Sequence, residues 1–191
     1  MDITFRDHDK HKLQQTVQME KDWDSRAVKN AVSFTTPDMK SCTFSEFFEY
    51  GRQQAYTLTH DSFATLAFEP AGKRMLEIGC GIGRLLTGFI EMFTEVWGVD
   101  ISQEMLNKTS QMPFYQEIKL IQNNGYDLAD IPDNHFDFVF SYNTLPHIPE
   151  GWMVSSYLSE THRVLRSGGI FQLQFRAKKS SFRKQVYLHL P

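Results

Sequence analysis

Apolar positions in this chain come in two rhythms, short dense runs and wider helical spacings, and the two alternate from about residue 70 onward. Arg74–Ile78, Glu95–Asp100, Ile118–Gln122, Asp137–Ser141 and Ile170–Phe175 are short apolar runs that predict five strands, several apolar enough for central parallel positions. Between them, Leu85, Leu86, Phe89, Ile90 and Phe93 predict a helix over 82–93. Ser102 can cap a helix over 103–111, and a helix over 152–165 ends at Arg166-Ser-Gly-Gly169, where glycine can terminate it. Strands alternating with helices predict an α/β, doubly wound, mostly parallel sheet.

The first 70 residues carry a different pattern. Leu13, Val17, Trp23, Ala27 and Val28 lie among charges between Lys12 and Ser33, as in one or two mostly exposed helices. Thr43-Phe-Ser-Glu46 has the form of a capping box ahead of Phe47, Phe48 and Tyr50, so a second helix is expected to run to about Phe68 before Glu69-Pro-Ala-Gly-Lys73 breaks it. Residues 1–70 are therefore expected to form a helical cap over the open end of the sheet, and residues 71–191 the core. After the fifth strand only Ala177 to Pro191 remain, with Arg183–Leu190 expected to begin a helix, so the sheet is expected to be truncated after that strand.

The chemistry concentrates at Met75-Leu-Glu-Ile-Gly-Cys-Gly-Ile-Gly-Arg84, where a strand runs into a glycine-dense turn that lets the backbone approach a ligand. A dinucleotide-binding turn places its third glycine at position 84, but Arg84 stands there and Gly83 comes one residue early. Glu77, two residues before Gly79, would repel a pyrophosphate and suits an amino or sulfonium group instead. Asp100, at the end of the second strand, can accept hydrogen bonds from two vicinal ribose hydroxyls, a role compatible with adenosine or with NAD. Asp100-Ile-Ser102 can also be read simply as the start of a helix.

The pattern Glu77-x-Gly79-x-Gly81-x-Gly83 resembles motif I of the class I S-adenosylmethionine-dependent methyltransferases. That resemblance spans about residues 72–176 and implies a Rossmann-like fold, S-adenosyl-L-methionine as cofactor and methyl transfer to a small-molecule acceptor. It implies that Gly79, Cys80, Gly81 and Gly83 pack against the cofactor's methionine part, and that Ile101 and Met105 can pack on the adenine. Asp127 and Leu128, counted back from Ile131-Pro132, fall where the superfamily places an acid and its neighbour against the adenine, with Asp130 as a rival. Ser141 opens the loop at the carboxyl edge of the sheet and is counted with the cofactor residues. His147, in the same loop, stands where many small-molecule members carry a histidine that could act as a base; it could equally be structural, bracketed by Pro146 and Pro149. Trp23 and Arg26 resemble a Trp-x-x-Arg element that closes over the cofactor, and Glu160 to Gly169 resembles the turn that feeds the fifth strand.

Composition narrows the partners. The 191 residues are 41% apolar with sixteen Phe, enough for one packed α/β core plus an extension. A net charge of −3 with both signs interspersed gives no broad nucleic-acid or membrane-surface footprint. Lys178, Lys179, Arg183 and Lys184 could touch RNA or simply be solvated. No apolar run approaches the ~20 residues of a membrane helix, and a cytoplasmic, soluble protein is expected. Cys42 and Cys80 have no metal-ligand or disulfide spacing; Cys80 is either a reactive thiol or a small residue tolerated in the turn. The competing functions are an NAD-dependent oxidoreductase, disfavoured by Glu77 and Arg84, and a cofactor-binding module without catalysis.

Overall fold

The computed structural model describes the backbone of residues 3–36, 39, 41–176 and 183–189, and the side chains of 10–36, 39 and 41–174. Its centre is a sheet of six strands: β1 (Arg74–Ile78), β2 (Glu95–Asp100), β3 (Ile118–Gln122), β4 (Phe136–Ser141), β5 (Leu165–Arg176) and β6 (Arg183–His189), in the order β3-β2-β1-β4-β5-β6. The first five are parallel. β6 runs antiparallel to β5, from Ile170 opposite His189 to Arg176 opposite Arg183. The sheet thus continues one strand past the fifth, and 183–189 form a strand where a helix start was expected. Val186 and Tyr187 are residue types that favour extended backbone.

Both faces of the sheet are covered, which explains why β1 and β4 read as continuous apolar runs. Met75, Val96, Phe138 and Ile170 belong to one buried cluster, beneath Leu86 and Phe89 of α3 (Leu86–Met92) and Ala55 of α2 (Phe44–Leu66). Phe93 stacks on Phe138 there at 5.6 Å, and Phe63 meets the same ring edge-on at 5.1 Å. Leu76, Ile78, Val99 and Val139 face the other way, against Tyr157 and Val164 of α5 (Gly151–Val164).

Three boundaries differ from the expectation. α3 begins at Leu86 rather than Ile82, because left-handed Gly83 extends the turn, so Arg84 lies in the turn. β5 begins at Leu165, with Gly168 (φ 77°) inside it next to a register irregularity opposite Phe136 and Phe138; the glycine pair is a kink within the strand, not a helix stop. α1 (Ile3–Thr35) runs further than expected and breaks at Asn30, whose side chain accepts from the Ser33 amide at 3.0 Å. α2 has both halves of its capping box: Thr43 Oγ1 accepts from the Glu46 amide and the Glu46 carboxylate from the Thr43 amide. α2 lies against α3, whereas α1 crosses the carboxyl edge of the sheet. Gln15 of α1 donates to Glu150 at 2.7 Å, Glu20 accepts from Gln122 at 3.1 Å, and Asp24 accepts from Ser102 Oγ at 2.6 Å. Among the described residues no helix is long and apolar enough to cross a membrane.

Candidate functional site

β1 ends at the carboxyl edge, and the chain reverses through Gly79, Gly81 and Gly83 with φ of 74°, 55° and 76°, a conformation other residues adopt only under strain. The amides of Gly79 and Cys80 both donate to the Val99 carbonyl, at 2.8 and 3.0 Å, which fastens the turn to β2. A Cβ on Gly79 would sit 2.2 Å from the Thr144 side chain, so the loop after β4 closes directly on this turn. Above the turn is a cleft walled by β1, β2, the loops after β3 and β4, and α1.

Two carboxylates face it. Asp100 Oδ2 accepts from the Gly81 amide at 2.8 Å and Oδ1 from the Ser102 amide at 2.9 Å, so the carboxyl is held in place while each oxygen keeps a lone pair. Burial pushes its pKa up to about 6 despite those two bonds, with Asp24 of α1 adding to the rise. Glu77 is only 3% exposed, and its Oε2 has no hydrogen-bond partner. Burial pushes its pKa up to about 8; Arg84 opposes that shift and Asp100 adds to it. A buried carboxyl oxygen left without a partner is costly, and a ligand donor reaching it would relieve that cost.

Of the twelve residues picked out from the sequence, eight line this cleft: Glu77, Gly79, Cys80, Gly81, Asp100, Ile101, Met105 and His147. Four do not. Gly83 faces α4 (Gln103–Thr109), where a Cβ would lie 2.7 Å from Thr109. Ser141 is buried within the sheet and donates to the Ile78 carbonyl at 3.3 Å. Asp127 and Leu128 line a separate cavity behind β2 and β3. The Asp127 carboxylate is engaged by its own loop, accepting from Asn124 Nδ2 at 2.8 Å and the Ala129 amide at 3.2 Å. Leu128 is sealed in the core and held by its amide to Glu160, which Arg163 pairs with at 2.7 Å. The residue of that loop which reaches the cleft is Gly125, two positions earlier, where a Cβ would lie 2.5 Å from Ile101 and Met19. The Asn-Gly step at 124–125 was the signal for it.

Cys80 is not activated: burial pushes its thiol well above the ordinary range, and its Sγ lies 2.8 Å from where a Gly98 Cβ would be. His147 ends a 3-10 turn (Leu145–His147) at the exposed rim of the cleft, its ring 5.8 Å from Trp23 and edge-on to it. Trp23 itself lines the cleft and carries the Arg26 guanidinium 4.5 Å from its ring. Asp137 ties strand starts together, accepting from the Arg74 amide and from Arg166, both at 2.9 Å. Tyr142, Tyr157 and Arg84 also line the cleft; sequence reasoning used Arg84 only to argue against NAD.

Comparison with known proteins agrees with this layout. Residues 76–173 match the family described as "Methyltransferase domain". The chain is 34% identical over 106 residues to a probable methyltransferase from Aspergillus luteorubrus, covering 50% of this chain and 37% of that protein. It is 30% identical over 126 residues to the 27-O-demethylrifamycin SV methyltransferase of Amycolatopsis mediterranei, covering 61% and 43%. It thus spans less than half the length of these relatives. The fold is similar to that of a phosphoethanolamine N-methyltransferase from Haemonchus contortus, solved with phosphoethanolamine and S-adenosylhomocysteine: TM-score 0.65, 19% identity, 86% of this chain and 33% of that one. Sheet order, glycine turn and family match lead to one assignment: the chain belongs to the methyltransferase-domain family, within the class I S-adenosylmethionine-dependent methyltransferase superfamily.

Proposed function

We propose that the cleft binds S-adenosyl-L-methionine and that the chain directs its methyl group to a small-molecule acceptor. The observation that carries this reading is the pair of buried carboxylates over the glycine turn, one anchored by backbone amides and one with an unpartnered oxygen. Asp100 would hold the ribose hydroxyls, Ile101 and Met105 would pack on the adenine with Gly125 beside them, and Glu77 would take the amino group. The cofactor supplies a methyl group on a positively charged sulfur.

The chain's own contribution is alignment and exclusion of water. α1, pinned to both sides of the sheet edge, roofs the cleft with Met19 and Trp23 and is the cap, whereas α2 belongs to the core of 71–191 that it packs on. His147, at the rim, would take a proton from an acidic acceptor, a contribution of roughly 10²- to 10⁴-fold where one is needed. A small acceptor is supported by the partly roofed cleft and by the net charge of −3, which disfavours a polyanion. It is also supported by relatives named for small substrates, such as the ubiquinone biosynthesis O-methyltransferase of Alkalilimnicola ehrlichii, 31% identical over 113 residues.

The test is transfer of labelled methyl from S-adenosylmethionine to a panel of small phenols, amines and thiols, run on the wild type and on His147→Ala. Label on an acceptor, reduced at least tenfold by the substitution with cofactor affinity unchanged, is expected. Cofactor binding with no transfer to any class would favour the binding module instead.

A further inference from the structure

β5 alternates across the sheet, with Phe171 and Leu173 in the core beneath α5 and Ile170 in the core beneath α2 and α3. Gln172 and Gln174 share the face of Ile170, where apolar residues are expected, and they are 0% and 3% exposed. A buried side-chain amide is costly unless it finds partners. Gln172 finds them in α2: its Oε1 accepts from Ser62 Oγ at 2.7 Å and its Nε2 donates to the Leu58 carbonyl at 2.6 Å. Gln174 stands past the end of β4, whose last pairing with β5 is Ser141 opposite Leu173, and there its Oε1 accepts from the Asn143 amide at 3.1 Å.

That amide belongs to the loop that closes on the cleft. Asn143 lines the cleft and is left-handed (φ 60°), a conformation that a residue other than glycine keeps only where its surroundings hold it. From Asn143 the chain folds back over the glycine turn. Thr144 Oγ1 donates to the Gly79 carbonyl at 3.3 Å, the Thr144 carbonyl accepts from the His147 amide at 2.9 Å, and Leu145 is buried between them. The torsions at Asn143 therefore set where Thr144 and His147 stand. Its amide has run past the β4 ladder, and Gln174 supplies the acceptor there.

We propose that Gln174 is a positioning residue for methyl transfer: from outside the cleft it holds the left-handed turn at Asn143, and so fixes Thr144 on the glycine turn and His147 at the rim. The inference rests on the cleft being the site of methyl transfer with His147 as its base. Gln174 then acts on turnover and through His147, whereas a residue that only fills the core acts on stability.

The test is labelled methyl transfer from S-adenosylmethionine to the panel of phenols, amines and thiols by the wild type, Gln174→Met, Gln174→Glu, His147→Ala and the double variant of Gln174→Met with His147→Ala. Each is also titrated calorimetrically with S-adenosylhomocysteine and checked for folding by circular dichroism. Gln174→Met matches the length of the side chain without its acceptor; kcat should fall roughly tenfold to a hundredfold, with KM for S-adenosylmethionine and affinity for S-adenosylhomocysteine within about twofold of the wild type. Gln174→Glu keeps an oxygen where the Asn143 amide donates and should restore kcat to within about threefold. In the His147→Ala background Gln174→Met should cost no more than about a further twofold, since both changes act on one group. Equal losses in the two backgrounds, or a Gln174→Met enzyme as fast as the wild type, overturn the role of Gln174 and leave the functional reading standing. A wild type that transfers methyl to no acceptor overturns that reading and this inference together. Should Gln174→Met not fold, hydrogen exchange at the Asn143 amide of the wild type decides: protection well beyond that of exposed loop amides supports the role, and exchange as fast as theirs overturns it.

Discussion

Replacing Glu77 by Gln should stabilise the empty protein at alkaline pH while weakening its hold on the cofactor. In the fold, burial raises the Glu77 carboxyl from its ordinary 4.5 to about 8. The sign follows from proton linkage: between those two values the folded state keeps a proton that the unfolded chain releases. The stability this confers is complete below pH 4.5 and is lost as pH rises through 8. Each pH unit in the window is worth about 1.4 kcal/mol, so the whole window is at most about 4 to 5 kcal/mol, and local relaxation reduces that to roughly 2. Gln has the same shape and no charge, so the variant lacks the penalty. Thermal unfolding of both ligand-free proteins, followed by circular dichroism, should give melting points within about 2 °C of each other at pH 5, and the variant at least about 4 °C higher at pH 8.5. S-adenosylhomocysteine should bind the variant about tenfold or more weakly, because the charge that meets its ammonium is gone. A difference between the two proteins that does not change from pH 5 to 8.5 would refute the reasoning.

Affinity for S-adenosylhomocysteine should also fall as pH drops through about 6, where the Asp100 carboxyl takes up its proton, and a titration series in Asp100→Asn should lose that dependence. Gly79→Ala forces a left-handed residue and puts a methyl group 2.2 Å from Thr144; a loss of about 2 kcal/mol or more in urea unfolding is expected. Thr43→Ala removes the cap of α2 and should cost about 1 kcal/mol by the same measurement, with S-adenosylhomocysteine affinity unchanged, since Thr43 lies outside the cleft.

The parts of this fold that were legible in the sequence are those set by local chemistry. Five parallel strands followed from apolar runs buried on both faces, and the capping box of α2 from Thr43 and Glu46 alone. The glycine turn, with Glu77 before it and Asp100 at the end of the next strand, is a local arrangement of backbone freedom and charge, and the cleft forms around those residues. What was hidden depends on contacts distant along the chain. Asp127 looks like a ligand residue when counted from Pro132, but Asn124 and the Glu160–Arg163 pair turn its loop so that Gly125 reaches the cleft instead. Ser141 at the end of β4 points into the sheet because the strand's pleat assigns its side chain there, and Tyr142 to Thr144 reach the cleft after it. β6 carries strand-favouring Val186 and Tyr187, but its place is set by pairing with β5.

The central claim is that Asp100 and Glu77 make this cleft a site for S-adenosylmethionine. Its most direct test is calorimetric titration of the wild type and of Asp100→Ala with S-adenosylhomocysteine, alongside NADH. The account predicts that S-adenosylhomocysteine binds the wild type, that NADH does not, and that removal of the carboxylate weakens binding about tenfold or more, through loss of charge-assisted hydrogen bonds worth roughly 1.5 to 3 kcal/mol each. NADH binding alone, or S-adenosylhomocysteine binding that is indifferent to Asp100, would contradict it.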